Sequence, residues 1–229
     1  MQFSLQNFRS LQRLATLGCL LTMAACANVQ AVESPAADPY AAVAQGRAEK
    51  IVAKIELDRA TAEAVTEIVS QQYQALNKVH EARDQAIAAV REKAAGHPDM
   101  VEAAVKAIEA EANEELYALN VAYNASLAGY LNGEQVDAVK DGMTYGRMPR
   151  DVGVFDAMLP DLTPEQRAQI YSWIWEAREH AITAGSSNEK HWWFDKYRGR
   201  INNYLAQAGY DLKQAEAEWL ERERAKKSR

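Results

Sequence analysis

The chain has 229 residues, enough for one helical domain or two small ones. Two of its bases, Arg9 and Arg13, and none of its acids fall in the first 31 residues, so the remainder carries 24 bases against 32 acids, a net charge of −8. That balance argues against nucleic acid as a partner, because neutralising phosphates needs basic surface. Both cysteines, Cys19 and Cys26, also lie in those 31 residues, so a chain cut after Ala31 has no disulfide, thiolate metal site or cysteine nucleophile.

The N-terminus reads as an export signal. Met1 to Arg13 is polar and basic, Leu14 to Ala27 is apolar but shorter than the ~20 residues a membrane span takes, and Val29-Gln30-Ala31 offers small residues for cleavage near Ala31. The rival reading is a lipoprotein signal, Met23-Ala24-Ala25-Cys26, with Cys26 as a lipid anchor. The expected location is the periplasm or the exterior, with no membrane span. Residues 32–45, rich in proline and alanine, are expected to form a flexible linker, and 46–225 a single helical domain.

From Gly46 onward strong helix formers recur at helical spacing, and no stretch alternates long enough for a strand. A short helix is expected over Arg47 to Leu57. A long one follows over Arg59 to Ala95, capped by Asp58, with the stripe Val65, Val69, Tyr73, Leu76, Val79, Ile87, Val90. Gly96-His97-Pro98 breaks it. The next helix, Pro98 to Tyr130, carries Val101, Val105, Ile108, Ala112, Leu116, Leu119, Tyr123 and Leu127. Each would be roughly 50 Å long, and so short a break predicts an antiparallel hairpin over 59–130. Shorter helices fill 132–225. Asn132 with Gln135 and Thr163 with Gln166 are candidate capping boxes, opening helices over Val136 to Asp141 and Ala168 to Ala184. Ser186 with Glu189 opens a helix ending near Ala208, and Asp211 with Gln214 opens a last one that frays from Glu221. Gly142 to Asp161 is expected to be a long ordered loop. The predicted class is all-α, a long antiparallel hairpin packed with a C-terminal set of shorter helices.

The segment Lys190 to Tyr204 is the most informative for chemistry. All five tryptophans lie beyond residue 170, and Trp192 and Trp193 are here. On a helix Phe194, Tyr197, Ile201 and Leu205 share a core face, while His191, Asp195, Arg198 and Asn202 share a polar one. One indole must then project sideways, where the apolar face of a sugar ring can stack on it and hydroxyls or a carboxylate can meet the polar groups. The competing view is that the indoles fill a small core and the charges pair with one another. His191, Trp192, Trp193, Lys196, Arg198, Arg200 and Asn203 are therefore candidate ligand contacts. Tyr73, Asn77, His80 and Asp84 form a second polar stripe. Arg83, on or beside the apolar stripe, needs a partner, which Glu176, Arg178, Glu179 or His180 could supply. His80, Arg83 and His180 join the candidate site, as do Tyr145 and Arg147 from a glycine-flanked turn able to close over it. No metal or cofactor is expected: there is no zinc-protease spacing, no phosphate-binding glycine loop and no serine nucleophile motif, and Glu176 with His180 is a single pair.

The segments Gln72 to Leu76, His80 to Asp84, Asp141 to Gly146, Glu176 to Glu179 and above all Lys190 to Leu205 carry a resemblance to the bacterial domain of unknown function family 3826, over about residues 46 to 224. The resemblance implies export, a setting in bacterial carbohydrate utilisation and sugar binding, and it implies no activity. Leu162-Thr163-Pro164-Glu165-Gln166 is similar to the signature of small helical periplasmic chaperones of the Spy and CpxP type, whose basic binding surface this acidic chain does not share. The leading expectation is an exported carbohydrate-binding accessory protein of polysaccharide utilisation, its ligand an acidic oligosaccharide. The alternatives are a lyase or hydrolase acting on acidic glycans, with Tyr145, Tyr197, His180 or His191 as base, and a Spy-like chaperone.

Overall fold

A computed structural model describes residues 38–94 and 96–227, and the expected signal segment and Cys26 lie outside them. Among the described residues every regular element is a helix, and none is long and apolar enough to cross a membrane. The class is all-α, a long hairpin packed with shorter helices.

Helix α1 (Pro39–Val52) begins inside the expected linker. The Asp38 side chain accepts the Tyr40 N–H, proline stands in the first turn where its missing N–H costs nothing, and Ala44 and Ala48 are fully buried. Alanine-rich composition, read as tether, here provides a flat face for close packing.

Helices α2 (Arg59–Lys93) and α3 (Pro98–Ala128) form the hairpin. Asp58 caps α2 through the Thr61 N–H at 3.1 Å. The apolar stripes are buried from Val65 to Val79 on α2 and at Ala112, Leu116, Tyr123 and Leu127 on α3, whereas Leu119 and, towards the hairpin tip, Ile87, Val90, Val101, Val105 and Ile108 are only half-buried.

The shorter helices are α4 (Gly133–Met143), α5 (Arg147–Met158), α6 (Pro164–Ala181), α7 (Ser187–Gln207) and α8 (Leu212–Lys227). Both expected capping boxes, Asn132/Gln135 and Thr163/Gln166, are formed reciprocally. The expected loop over Gly142 to Asp161 is instead mostly α5, which buries Met148 and Phe155. Pro149 lies in its first turn, where proline is harmless, and the buried pair Arg147–Asp151 is spaced one helical turn apart (3.2 Å). Helix α8 has no buried residue and continues to Lys227, past the point of expected fraying.

Three apolar clusters form among the described residues. Leu76, Val79, Ala112 and Leu116 make a small one within the hairpin; of the two larger ones, one joins α1, α2, α3 and α4 and the other joins α5, α6 and α7. Ile182, just past the end of α6, belongs to the α1–α4 cluster, so the α6–α7 turn is driven into the seam between the two larger ones. Gly142 and Gly185 let that seam close. A Cβ at Gly142 would meet Ile51 of α1 at 2.7 Å, and one at Gly185 would meet the His80 ring at 2.8 Å.

Candidate functional site

Two adjoining cavities open at this seam and share His80 and Ala184 in their walls. The larger, about 740 Å³, lies between the hairpin and the α6–α7 pair. Helix α2 contributes His80 and Arg83, and α3 contributes Glu109, Asn113, Tyr117 and Asn120. Helix α6 contributes Glu179 and His180, and α7 contributes Glu189, Trp192 and Trp193.

An aromatic platform forms one side of this cleft. His180 stacks on Trp193 at 4.2 Å with the rings 12° apart, Trp192 meets Trp193 edge-on at 4.9 Å, and the Lys196 ammonium lies 5.0 and 4.7 Å from the two indoles. Trp192 is 54% exposed, too wet for a core residue. Burial against the platform pulls the His180 pKa below the usual histidine value, with Lys196 adding to the effect and Glu176 and Glu179 opposing it. At neutral pH His180 is thus an uncharged ring suited to stacking.

The local sequence sets this geometry. Helix α6 ends at Ala181, the Thr183 hydroxyl donates to the His180 carbonyl, and the Ser186 side chain caps α7 by accepting the Glu189 N–H at 3.1 Å. This tight turn folds α7 back so that Trp193 lies against His180. His80 locks the turn to the hairpin: its Nε2 lies 2.8 Å from the Thr183 carbonyl, which can only accept, so Nε2 carries the proton. The other ring nitrogen, Nδ1, is buried with no hydrogen-bond partner. Arg83 is paired with Asp84 (2.8 Å) and reaches Glu189 (3.9 Å), not the α6 residues expected to serve it.

The smaller cavity, about 280 Å³, is walled by α1, the middle of α2, the α4–α5 turn and the start of α7. Arg47 donates to the Tyr40 hydroxyl at 2.9 Å, and its guanidinium lies 5.6 Å from the centroids of both Tyr40 and Tyr73. Lys190 is buried, lies 5.4 Å from the Tyr73 ring and donates to the Met143 carbonyl at 2.9 Å. Burial, reinforced by the like charge of Arg47, pulls its pKa down to about 8. Burial also pushes the Tyr73 phenol up, with Arg47 opposing. Tyr145 stands at the rim in a left-handed conformation (φ 60°), followed by Gly146 at φ 64°, and its ring stacks on His191 at 5.6 Å.

The sequence-predicted residues thus divide. His80, Arg83, His180, Trp192 and Trp193 converge on the larger cleft, Lys196 covers the indoles, and Tyr145 lines the smaller cavity. Arg147 does not face a cavity: it is buried, held by Asp151, by Asp195 at 2.6 Å and by His191 Nδ1 at 3.0 Å. Arg198 pairs with Asp151 at 3.3 Å, and Arg200 lies over Trp173 and 3.8 Å from Glu176. Asn203 is exposed and lines neither cavity. On this face of α7 the charges pair with one another. Sequence reasoning missed Tyr40 and Arg47, singled out Lys190 only as the start of the informative segment and not as a ligand contact, and used Tyr73 as stripe. One signal was available: Arg47, Lys50 and Lys54 recur at steps of three and four, which puts bases on one side of α1 and its exit.

No curated protein matches this chain. Residues 41–225, nearly all of the described structure and most of the sequence, match the family described as protein of unknown function (DUF3826), and the chain belongs to that family.

Proposed function

We propose that this is an exported protein that binds carbohydrate, an accessory factor in the use of polysaccharide by a bacterium. One observation carries the reading. A half-exposed tryptophan, a second indole and an uncharged imidazole form a continuous aromatic face along a 740 Å³ cleft whose other walls present carboxylates, amides and a guanidinium. A pyranose needs an apolar plate for its C–H face and fixed donors and acceptors for its hydroxyls, and the cleft offers both. Calorimetric titration with a panel of oligosaccharides tests it. Trp192→Ala should weaken binding at least tenfold while leaving thermal stability near that of wild type, since the ring is largely in water. Absence of binding across the panel, or undiminished affinity in the Trp192→Ala/Trp193→Ala double variant, overturns the reading. Export rests on the first 31 residues. Cell fractionation with mass measurement of the mature N-terminus separates cleavage near Ala31 from acylation at Cys26.

A further inference from the structure

The smaller cavity has a charge composition at odds with the rest of the chain. Arg47, Lys50, Lys54 and Lys190 line it, and no carboxylate does, in a protein with 32 acids and 26 bases. Asp38 and Glu81 come close enough to act on Tyr40, but neither lines the cavity. None of the four bases forms an ion pair among the described residues. Arg47 gives one bond to the Tyr40 hydroxyl, and Lys190 gives one to the Met143 carbonyl. Both retain donors that no group among the described residues is seen to meet. They flank the same Tyr73 ring, and each adds to the electrostatic cost of the other. Cations elsewhere in this fold that are buried as deeply as Lys190 are neutralised: Arg178 by Asp137 and Asp141, Lys140 by Glu179, Arg147 by Asp151. A desolvated ammonium beside a second cation, with free donors and no counter-charge, is the arrangement that a bound oxyanion repairs.

We propose that this cavity is an oxyanion site in which Arg47 and Lys190 bind the carboxylate or sulfate group of an acidic sugar. The oxyanion assignment rests on the cavity alone, whereas assigning the anion to a sugar rests on the carbohydrate reading above. The shared wall at His80 and Ala184 connects the two assignments: a chain lying along the aromatic cleft brings a neighbouring residue's acidic substituent to the cationic cavity.

The test is calorimetric titration of the full mature chain with trigalacturonate, with its methyl ester, and with an otherwise neutral trisaccharide bearing one sulfate. Wild type should bind the acid at least tenfold more tightly than the ester. Arg47→Gln, an exposed substitution that spares the core, should remove that preference and leave ester binding intact, and Lys190→Met should do the same. Trp192→Ala should weaken acid and ester alike. Preference for the sulfated sugar over trigalacturonate assigns a tetrahedral anion, and the reverse a carboxylate. Equal affinity of wild type for the acid, the ester and the sulfated sugar, or a preference for the anionic sugars that survives Arg47→Gln, overturns the oxyanion site while the carbohydrate reading stands. If no sugar binds, titration with sodium sulfate decides. Saturable binding lost in Arg47→Gln keeps the oxyanion site and fails the carbohydrate reading, and no binding fails both.

Discussion

Lys190→Met should make this protein more stable at neutral pH. The ordinary lysine value is 10.5, and burial holds Lys190 at about 8. That difference corresponds to about 3 kcal/mol of unfavourable free energy for keeping the charge in the folded state. Methionine has similar length and flexibility and carries no charge. Against the gain stands the lost bond to the Met143 carbonyl at 2.9 Å, a charge-assisted contact worth about 1.5–3 kcal/mol. The net expectation is up to about 1.5 kcal/mol of stabilisation at pH 7. The pH dependence is the sharper signature. Below about pH 8 the lysine is charged in both states and the folded protein bears the full cost. Between about 8 and 10.5 the folded protein has released the proton that the unfolded chain still holds, so wild-type stability rises with pH and overtakes that of Lys190→Met. Urea unfolding of both proteins at pH 7, 8.5 and 10 measures this, and taking the difference cancels groups common to both. A variant more than about 1 kcal/mol less stable than wild type at pH 7, with a difference flat in pH, would refute the argument that Lys190 is an uncompensated buried charge.

Three further outcomes follow from the packing. Gly185→Ala places a methyl where the His80 ring lies (2.8 Å) and should cost about 1–3 kcal/mol in chemical denaturation; in a His80→Ala background the same change should cost far less, a coupling read by a double-mutant cycle. Tyr145→Gly relieves a left-handed backbone worth about 1–2 kcal/mol, and calorimetric melting should show a gain up to that size, less whatever the stacking on His191 contributes. Arg178→Met leaves Asp137 and Asp141 without their buried partner and should cost about 3–5 kcal/mol at pH 7. Burial already pushes Asp141 above the usual carboxylate range, so the loss should shrink on going to pH 4, where protonation removes the unpaired charge.

The fold was legible wherever the signal was local. Asp58, the two capping boxes and Pro98 mark helix starts through contacts within one turn, and the stripes of α2 and α3 announce a hairpin by their period alone. It was only partly legible at α1, expected from Arg47 but begun at Pro39, and illegible at α5, where the helix is justified by what lies across from it. Alanines at 44 and 48 look like linker until α2 is placed against them. In α5 a proline and Gly153 hide a helix held by Met148, Phe155 and the Arg147 network. The site divides in the same way. The aromatic platform draws on one run, Trp192-Trp193, and on His180 at the end of the preceding helix, so composition pointed to it. The cationic cavity gathers residues from position 40 to position 190, and no window of sequence contains it.

The buried charges of this molecule sort by whether they have partners, and the sorting follows geometry. Arg178 and Lys140 with Glu179 join α4 to α6, and Arg147 with Asp195, together with Asp151 and Arg198, joins α5 to α7. These pairs cross helix interfaces, so their worth lies less in net stability, where desolvation takes back most of the attraction, than in fixing how each helix is rotated and advanced against its neighbour. The rotation of α6 decides whether His180 faces Trp193, and the advance of α7 decides whether Lys190 reaches the end of α4. Paired charges behind the seam thus hold the platform and the lone cations in front of it. A scaffold that neutralises the deeply buried cations Lys140, Arg147 and Arg178 but not Lys190 leaves the cavity that Lys190 faces as the place where binding free energy from an anion is available.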